Sequence, residues 1–242
     1  MGLFSLKKKD TKSGGTQPPL RHIAFIMDGN GRWANKRGLP REMGHKRGAE
    51  AFRRMVEHCI DRDIELVTVY AFSTENWKRP QSEVDGIMKL FAEYLKDGLE
   101  NPRQKNSKIR FLGDTSRFSP EIQELMADIV EKSKDFRHSL NIAINYGGRD
   151  DIVYAVNSLI AEGKTKITED DISSHLYTGG QPDPDLIVRT GGEWRLSNFL
   201  TWQSTYSELF FTKTLWPDMT EKDLDEALDF FEKRQRRFGA VK

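Results

Sequence analysis

Five short apolar runs, each ending in a polar or glycine-rich stretch, limit this chain to few architectures. They span residues 23–27, 66–72, 109–112, 140–146 and 186–189, and each reads as a buried strand. Helical patterns lie between them. Residues 48–60 place Phe52, Val56, Cys59 and Ile60 on one face. After Pro80, Ser82 and Asp85 form an S-x-x-D capping signal, and Val84, Ile87, Met88, Phe91 and Leu95 follow at helical spacing. Residues 120–134 and 150–161 carry weaker helical patterns. Thr220 and Asp223 repeat the capping signal ahead of Leu224, Ala227, Leu228 and Phe231. Strands alternating with helices predict an α/β fold with a central, mostly parallel sheet flanked by helices.

Composition narrows the function classes. With 242 residues and 37% hydrophobic content, the chain can bury a sizeable core as one domain. Its net charge of +1 gives no global pull toward nucleic acid or anionic membrane, so an anion site must be local. The single cysteine, Cys59, excludes an intramolecular disulfide and reads as a core thiol. No apolar stretch approaches the roughly 20 residues that span a bilayer. Residues 1–20, with Lys7-Lys8-Lys9 and Pro18-Pro19, read as a flexible tail ahead of one folded domain over 21–242. Leu6 defeats the myristoylation motif that Met1-Gly2 suggests.

The chemistry collects where the runs stop. In His22-Ile23-Ala24-Phe25-Ile26-Met27-Asp28-Gly29-Asn30-Gly31-Arg32-Trp33, the apolar run halts at an acid, two glycines and an arginine. Asp28 offers hard oxygens to a divalent cation. Arg32 offers an anion a planar fork of donors. A plain turn at Gly29-Asn30-Gly31 is the competing reading. Gly29-x-Gly31-x-x-Ala34 also matches the dinucleotide fingerprint, and Glu75 could serve as its ribose acid, but bulky Trp33 fits that turn poorly. Arginines stand near four strand ends: Arg32, Arg79, Arg149, and Arg189 with Arg195. That recurrence fits a polyphosphate pocket better than scattered surface charge.

Other phosphate and hydrolytic chemistries fail on spacing. Gly163-Lys164-Thr165 lacks the upstream P-loop glycine, since that position is Leu159. Neither Asp150-Asp151 nor Asp170-Asp171 continues into D-D-x-x-D. The five histidines show no zinc spacing, and no G-x-S-x-G elbow occurs.

Taken together, the chain resembles the undecaprenyl diphosphate synthase family, the cis-prenyltransferases, over residues 21 to 239. The resemblance rests on His22 through Trp33, Gly44-His45-Lys46, Tyr70 through Trp77 with Arg79-Pro80, Asn145 through Arg149, Arg189 through Phe199, and Tyr206 through Leu209. It implies a cytoplasmic homodimeric enzyme that adds isopentenyl diphosphate units in cis to farnesyl diphosphate or a similar allylic diphosphate. Its product would be undecaprenyl diphosphate, the lipid-carrier precursor for cell-wall polysaccharide. Mg²⁺ would be the cofactor, and nucleic acid is not an expected partner. Product release would involve peripheral contact with the inner membrane face.

By the same resemblance, Asp28 is the essential acid and a Mg²⁺ ligand, and Glu208 of a neighbouring subunit is the second. Gly29, Asn30, Gly31, Arg32, Arg41 and His45 hold the allylic diphosphate. Ser73, Asn76, Trp77 and Arg79 shape the reaction zone, with Asn76 counted as catalytic through an orienting role. Arg189, Arg195 and Ser197 hold isopentenyl diphosphate. Trp33, Thr74, Glu75 and Leu196 complete the expected substrate contacts. Arg237-Phe238-Gly239 resembles a C-terminal R-x-G element that reaches across the dimer. An apolar tunnel would be lined by the 84–95 helix and the strands at 109–112 and 140–144, with its floor among Leu90, Phe91, Leu112 and Leu140. Trp194 stands where several relatives carry a polar residue; an indole has no acceptor for a metal, so it is expected to pack at the mouth or the dimer seam.

Overall fold

Each of the five apolar runs forms a strand in the computed structural model, which describes residues 19–100 and 107–234. They are β1 (His22–Ile26), β2 (Leu66–Ser73), β3 (Ser107–Leu112), β4 (His138–Tyr146) and β5 (Leu186–Arg189). A sixth strand, β6 (Glu208–Phe211), was not expected. The order is β3-β4-β2-β1-β5-β6, and every neighbouring pair is parallel. All six carboxyl ends therefore face one edge, and the strand order reverses between β1 and β5 there.

Seven helices accompany the sheet among the described residues: α1 (Asn30–Asn35), α2 (Arg41–Asp61), α3 (Gln81–Glu100), α4 (Pro120–Ser133), α5 (Gly148–Ala161), α6 (Glu169–His175) and α7 (Glu221–Glu232). Thr220 and Asp223 form the expected reciprocal cap on α7. The cap expected at Ser82 and Asp85 does not form. There α3 already begins at Gln81, directly after Pro80, and Asp85 instead accepts from Gln81 Nε2 at 2.8 Å. Residues 1–18 of the tail expected over 1–20, and the Arg237-Phe238-Gly239 element, lie outside the described residues, whereas Leu20, at the end of that expected tail, packs against the core.

Strand alternation divides the core. Ile23, Phe25, Val67, Val69, Ile109 and Leu140 face α2 and α7, where Met55, Cys59, Trp216, Leu224 and Phe231 meet them. Ala24, Ile26, Leu112, Ala143 and Ile187 face the opposite side, under Phe199, Leu200 and Tyr146. Cys59 is fully buried, as its spacing predicted, and burial raises its thiol pKa. No helix among the described residues is long and apolar enough to cross a membrane.

Candidate active site

The switch point between β1 and β5 positions the acid. β1 ends at Ile26, opposite Arg189, and Asp28 follows two residues later. Its backbone carbonyl is clamped by Trp216 N at 3.0 Å and Thr190 Oγ1 at 2.7 Å. Gly29 then turns the chain at φ 118°, against Leu215, and caps α1. The expected turn is therefore Gly29 alone; Asn30 and Gly31 already belong to the helix.

The Asp28 carboxylate lies between two guanidiniums. Arg32 Nη2 reaches one oxygen at 3.0 Å, and Arg189 Nη2 reaches the other at 3.0 Å. Arg189 is almost fully buried, donates to Ser197 Oγ at 2.8 Å, and also contacts the Arg195 carbonyl. Its Nε is buried with no partner among the described residues. Arg32 donates to Gly191 O at 2.6 Å, and Arg195 pairs with Glu193. Gly191 has φ 85°, and a Cβ there would stand 2.4 Å from Arg32 Nη2, so this loop position requires glycine.

A second cationic group lies beyond α1. Arg41 Nη2 would be only 2.9 Å from a Cβ on Gly31. Arg41, Arg79 and His45 converge on Glu83 Oε1 at 3.2, 3.1 and 3.5 Å. Burial lowers the His45 pKa, with Arg79 adding to that effect, so the imidazole is neutral near pH 7. Glu83 was not foreseen, because it lies inside the stretch read as a capping signal.

The end of β2 braces the mouth. Asn76 Oδ1 accepts from Ser73 N at 3.1 Å, within a reciprocal cap of the short turn Thr74–Lys78. The Asn76 side-chain carbonyl is thus engaged in holding that turn. Trp77 Nε1 donates to Asn145 Oδ1 at 2.7 Å, and its ring packs on Phe72 and Phe118. Glu75 accepts from Asn198 Nδ2 at 2.9 Å, which ties the turn to the 190–200 loop. Burial pushes the Glu75 carboxyl up, but hydrogen bonds from Asn198, its own backbone, Ser73 and Thr74 outweigh this and hold it low. Gly147 brings Thr74 and Asn198 side by side. Leu196 packs against the Phe199 side of the core.

Three further expected residues make contacts of their own. Trp33 directs its indole N–H to Asp218 at 2.6 Å, with Arg37 stacked 4.1 Å over its ring, so it braces α1. Trp194 is 77% exposed and stacks on Phe211. Glu208 begins β6 at the level of Leu186, whereas Arg189 pairs with Phe211. It thus stands about 10 Å back along the strand from the Arg189 end, in an ion pair with Arg234 at 2.9 Å. Within one chain, Asp28 and Glu208 are not brought together.

An apolar cavity of about 300 Å³ opens beside these groups. Met27, Asn30 and His45 line its mouth, while Phe52, Leu90, Phe91, Leu140, Ile142 and Ile144 line its body. Leu112, expected in its floor, does not line it. Ile109 does, and three residues on, the pleat turns Leu112 to the opposite face.

Cationic clusters at the mouth of a hydrocarbon-lined cavity suit an amphiphile with an anionic head. A family model described as "Putative undecaprenyl diphosphate synthase" matches residues 26–239. Isoprenyl transferase of Neisseria gonorrhoeae is 50% identical over 220 residues, covering 90% of this chain and 89% of that protein. Isoprenyl transferase of Fusobacterium nucleatum is 50% identical over 225 residues, covering 92% and 96%. Lavandulyl diphosphate synthase from Lavandula x intermedia, solved with dimethylallyl diphosphate, superposes with a TM-score of 0.86 at 32% identity, over 91% of this chain and 98% of that one. A "probable undecaprenyl diphosphate synthase" from Campylobacter jejuni gives 0.79 at 33% identity, over 93% and 100%. The family model, the relatives and the fold show that the chain belongs to the undecaprenyl diphosphate synthase family of isoprenyl transferases, the cis-prenyltransferases.

Proposed function

We propose that this prenyltransferase lengthens farnesyl diphosphate, or a similar allylic diphosphate, with isopentenyl diphosphate in cis. Its product is a medium-length polyprenyl diphosphate of the undecaprenyl class, the lipid-carrier precursor for cell-wall polysaccharide. The observation that carries this reading is the Asp28–Arg32–Arg189 cluster beside the apolar cavity.

The residues present fit Mg²⁺. This ion takes one or two carboxylates and completes its shell with substrate phosphates and water. Asp28 supplies a part-exposed carboxylate between two phosphate-binding guanidiniums, and no cluster of three protein ligands occurs among the described residues. When bound, the ion neutralises charge on the departing diphosphate. Arg32, Arg41 and Arg79 hold positive potential where that charge develops, and their contacts with Asp28 and Glu83 keep them gathered before substrate arrives. Arg189, Arg195 and Ser197 orient isopentenyl diphosphate so that its double bond faces the allylic carbon. Neutral His45 and the indole of Trp77 border the zone without adding charge. The cavity takes the hydrocarbon tail. Glu208 acts from the neighbouring subunit of a homodimer, and product leaves by peripheral contact at the inner membrane face.

The test is incorporation of labelled isopentenyl diphosphate into extractable lipid, with farnesyl diphosphate and Mg²⁺. Wild-type protein should produce lipid only with the metal present. Asp28→Ala should lose nearly all turnover while keeping its circular dichroism spectrum and melting temperature. Near-normal turnover of that variant at saturating Mg²⁺ would remove Asp28 from the mechanism.

A further inference from the structure

The long wall of the cavity is made by two helices. α2 lines it from His45 to Asp61, a run of about 24 Å at 1.5 Å per residue. Across from it, α3 presents Ile87, Leu90, Phe91, Tyr94 and Leu95. A seam between two helices cannot be closed by backbone hydrogen bonds, because each helix satisfies its own. Side chains must close it. At the mouth this is done by the group around Glu83. Deeper in, about 12 Å along α2 from His45, it is done by Arg53. The Arg53 guanidinium lies 4.6 Å over the Tyr94 ring and pairs with the Asp97 carboxylate, so one side chain grips two consecutive turns of α3. Its Nε is buried with no partner among the described residues.

We propose that Arg53 is a specificity-determining residue: a strap across the α2–α3 seam that keeps a growing polyprenyl chain enclosed and so limits its length. The inference rests on the proposed function. An apolar side chain here would merge with the cavity wall. Arg53 instead lays its aliphatic stem against the cavity and its charged head on α3. At this level of the seam, a hydrocarbon chain leaves sideways by separating the guanidinium from both Tyr94 and Asp97. While the strap holds, the tail must advance along the sheet past Leu140 toward Ser107 and Phe136. With the strap cut, the tail slips out between the helices, and the floor no longer arrests elongation.

The experiment compares chain-length distributions of dephosphorylated products from wild type, Arg53→Met, Asp97→Asn, and the exchanged pair Arg53→Asp with Asp97→Arg. Arg53→Met keeps the stem and removes the charge. Both single variants should move the distribution to longer chains by one or more isopentenyl units, and the exchanged pair should return it toward wild type. Unchanged or shortened products in both single variants would overturn the strap. Should Arg53→Met fail to fold, the near-isosteric Asp97→Asn decides alone. A wild-type protein that incorporates no isopentenyl diphosphate would refute the proposed function instead, because the strap is read only from the products of an active enzyme.

Discussion

Asp28 carries a guanidinium on each carboxylate oxygen, yet the two arginines differ in how they are held. Arg189 is buried and pinned by Ser197 and the Arg195 carbonyl, whereas Arg32 is nearly half exposed on the six-residue α1. Arg189→Ala and Arg195→Ala are expected to weaken isopentenyl diphosphate use, and Arg32→Ala the allylic step. Each lost charge-assisted contact should cost about 1.5–3 kcal/mol. Separate KM values for the two substrates check this; equal damage to both by every variant would merge the two pockets into one. The arginines were legible because the sequence placed each at a strand end, where open parallel sheets bind ligands. Glu83 was hidden because a carboxylate in a first helical turn has an ordinary explanation in the helix dipole. The Trp33 contact with Asp218 was not legible, because sequence position says nothing of where an indole points.

At the scale of elements, two leucines separate cavity from core. Leu140 lines the cavity, and Leu112 is fully buried on the other face of the sheet. Leu140→Ala should lengthen the products. Leu112→Ala should leave their length unchanged while destabilising the fold by about 2–5 kcal/mol. Product chromatography and urea denaturation of both variants distinguish these effects, and longer products from Leu112→Ala would misplace the cavity wall. Long apolar runs and amphipathic helices were legible because their periods are unambiguous. β6 was not, because its four residues stand at the sheet edge and none is fully buried. Seven-residue α6 is too short to show a period, although Thr168 and Asp171 cap it reciprocally.

For the molecule as a whole, acid acts through a buried histidine. His22 is buried between Thr68 Oγ1 at 2.7 Å and the Pro182 carbonyl at 2.8 Å, and burial lowers its pKa from 6.5 to about 4. Its contribution to stability is complete above pH 6.5 and is lost as the pH falls from there to about 4, because the unfolded chain takes up the proton first. The loss is on the order of 3 kcal/mol. Buried Asp151 is shifted upward and acts in the opposite sense, so the comparison must be made against His22→Gln. Urea denaturation at several pH values should show a steeper decline below pH 6.5 for wild type than for that variant; parallel curves would refute it. A last consequence follows from the parallel sheet, which puts Asp28 at its carboxyl edge and Glu208 at its amino edge. In a homodimer that shares its sites, two inactive variants would restore one another. If Glu208 serves the neighbouring subunit, a mixed dimer of Asp28→Ala and Glu208→Ala collects both lesions in one site and leaves the other whole. Unfolded together and refolded at equal amounts, the pair should recover about a quarter of wild-type turnover, half of the dimers being mixed and each having one intact site. Glu208 acting within its own subunit would leave every site with a lesion, and the mixture would stay silent.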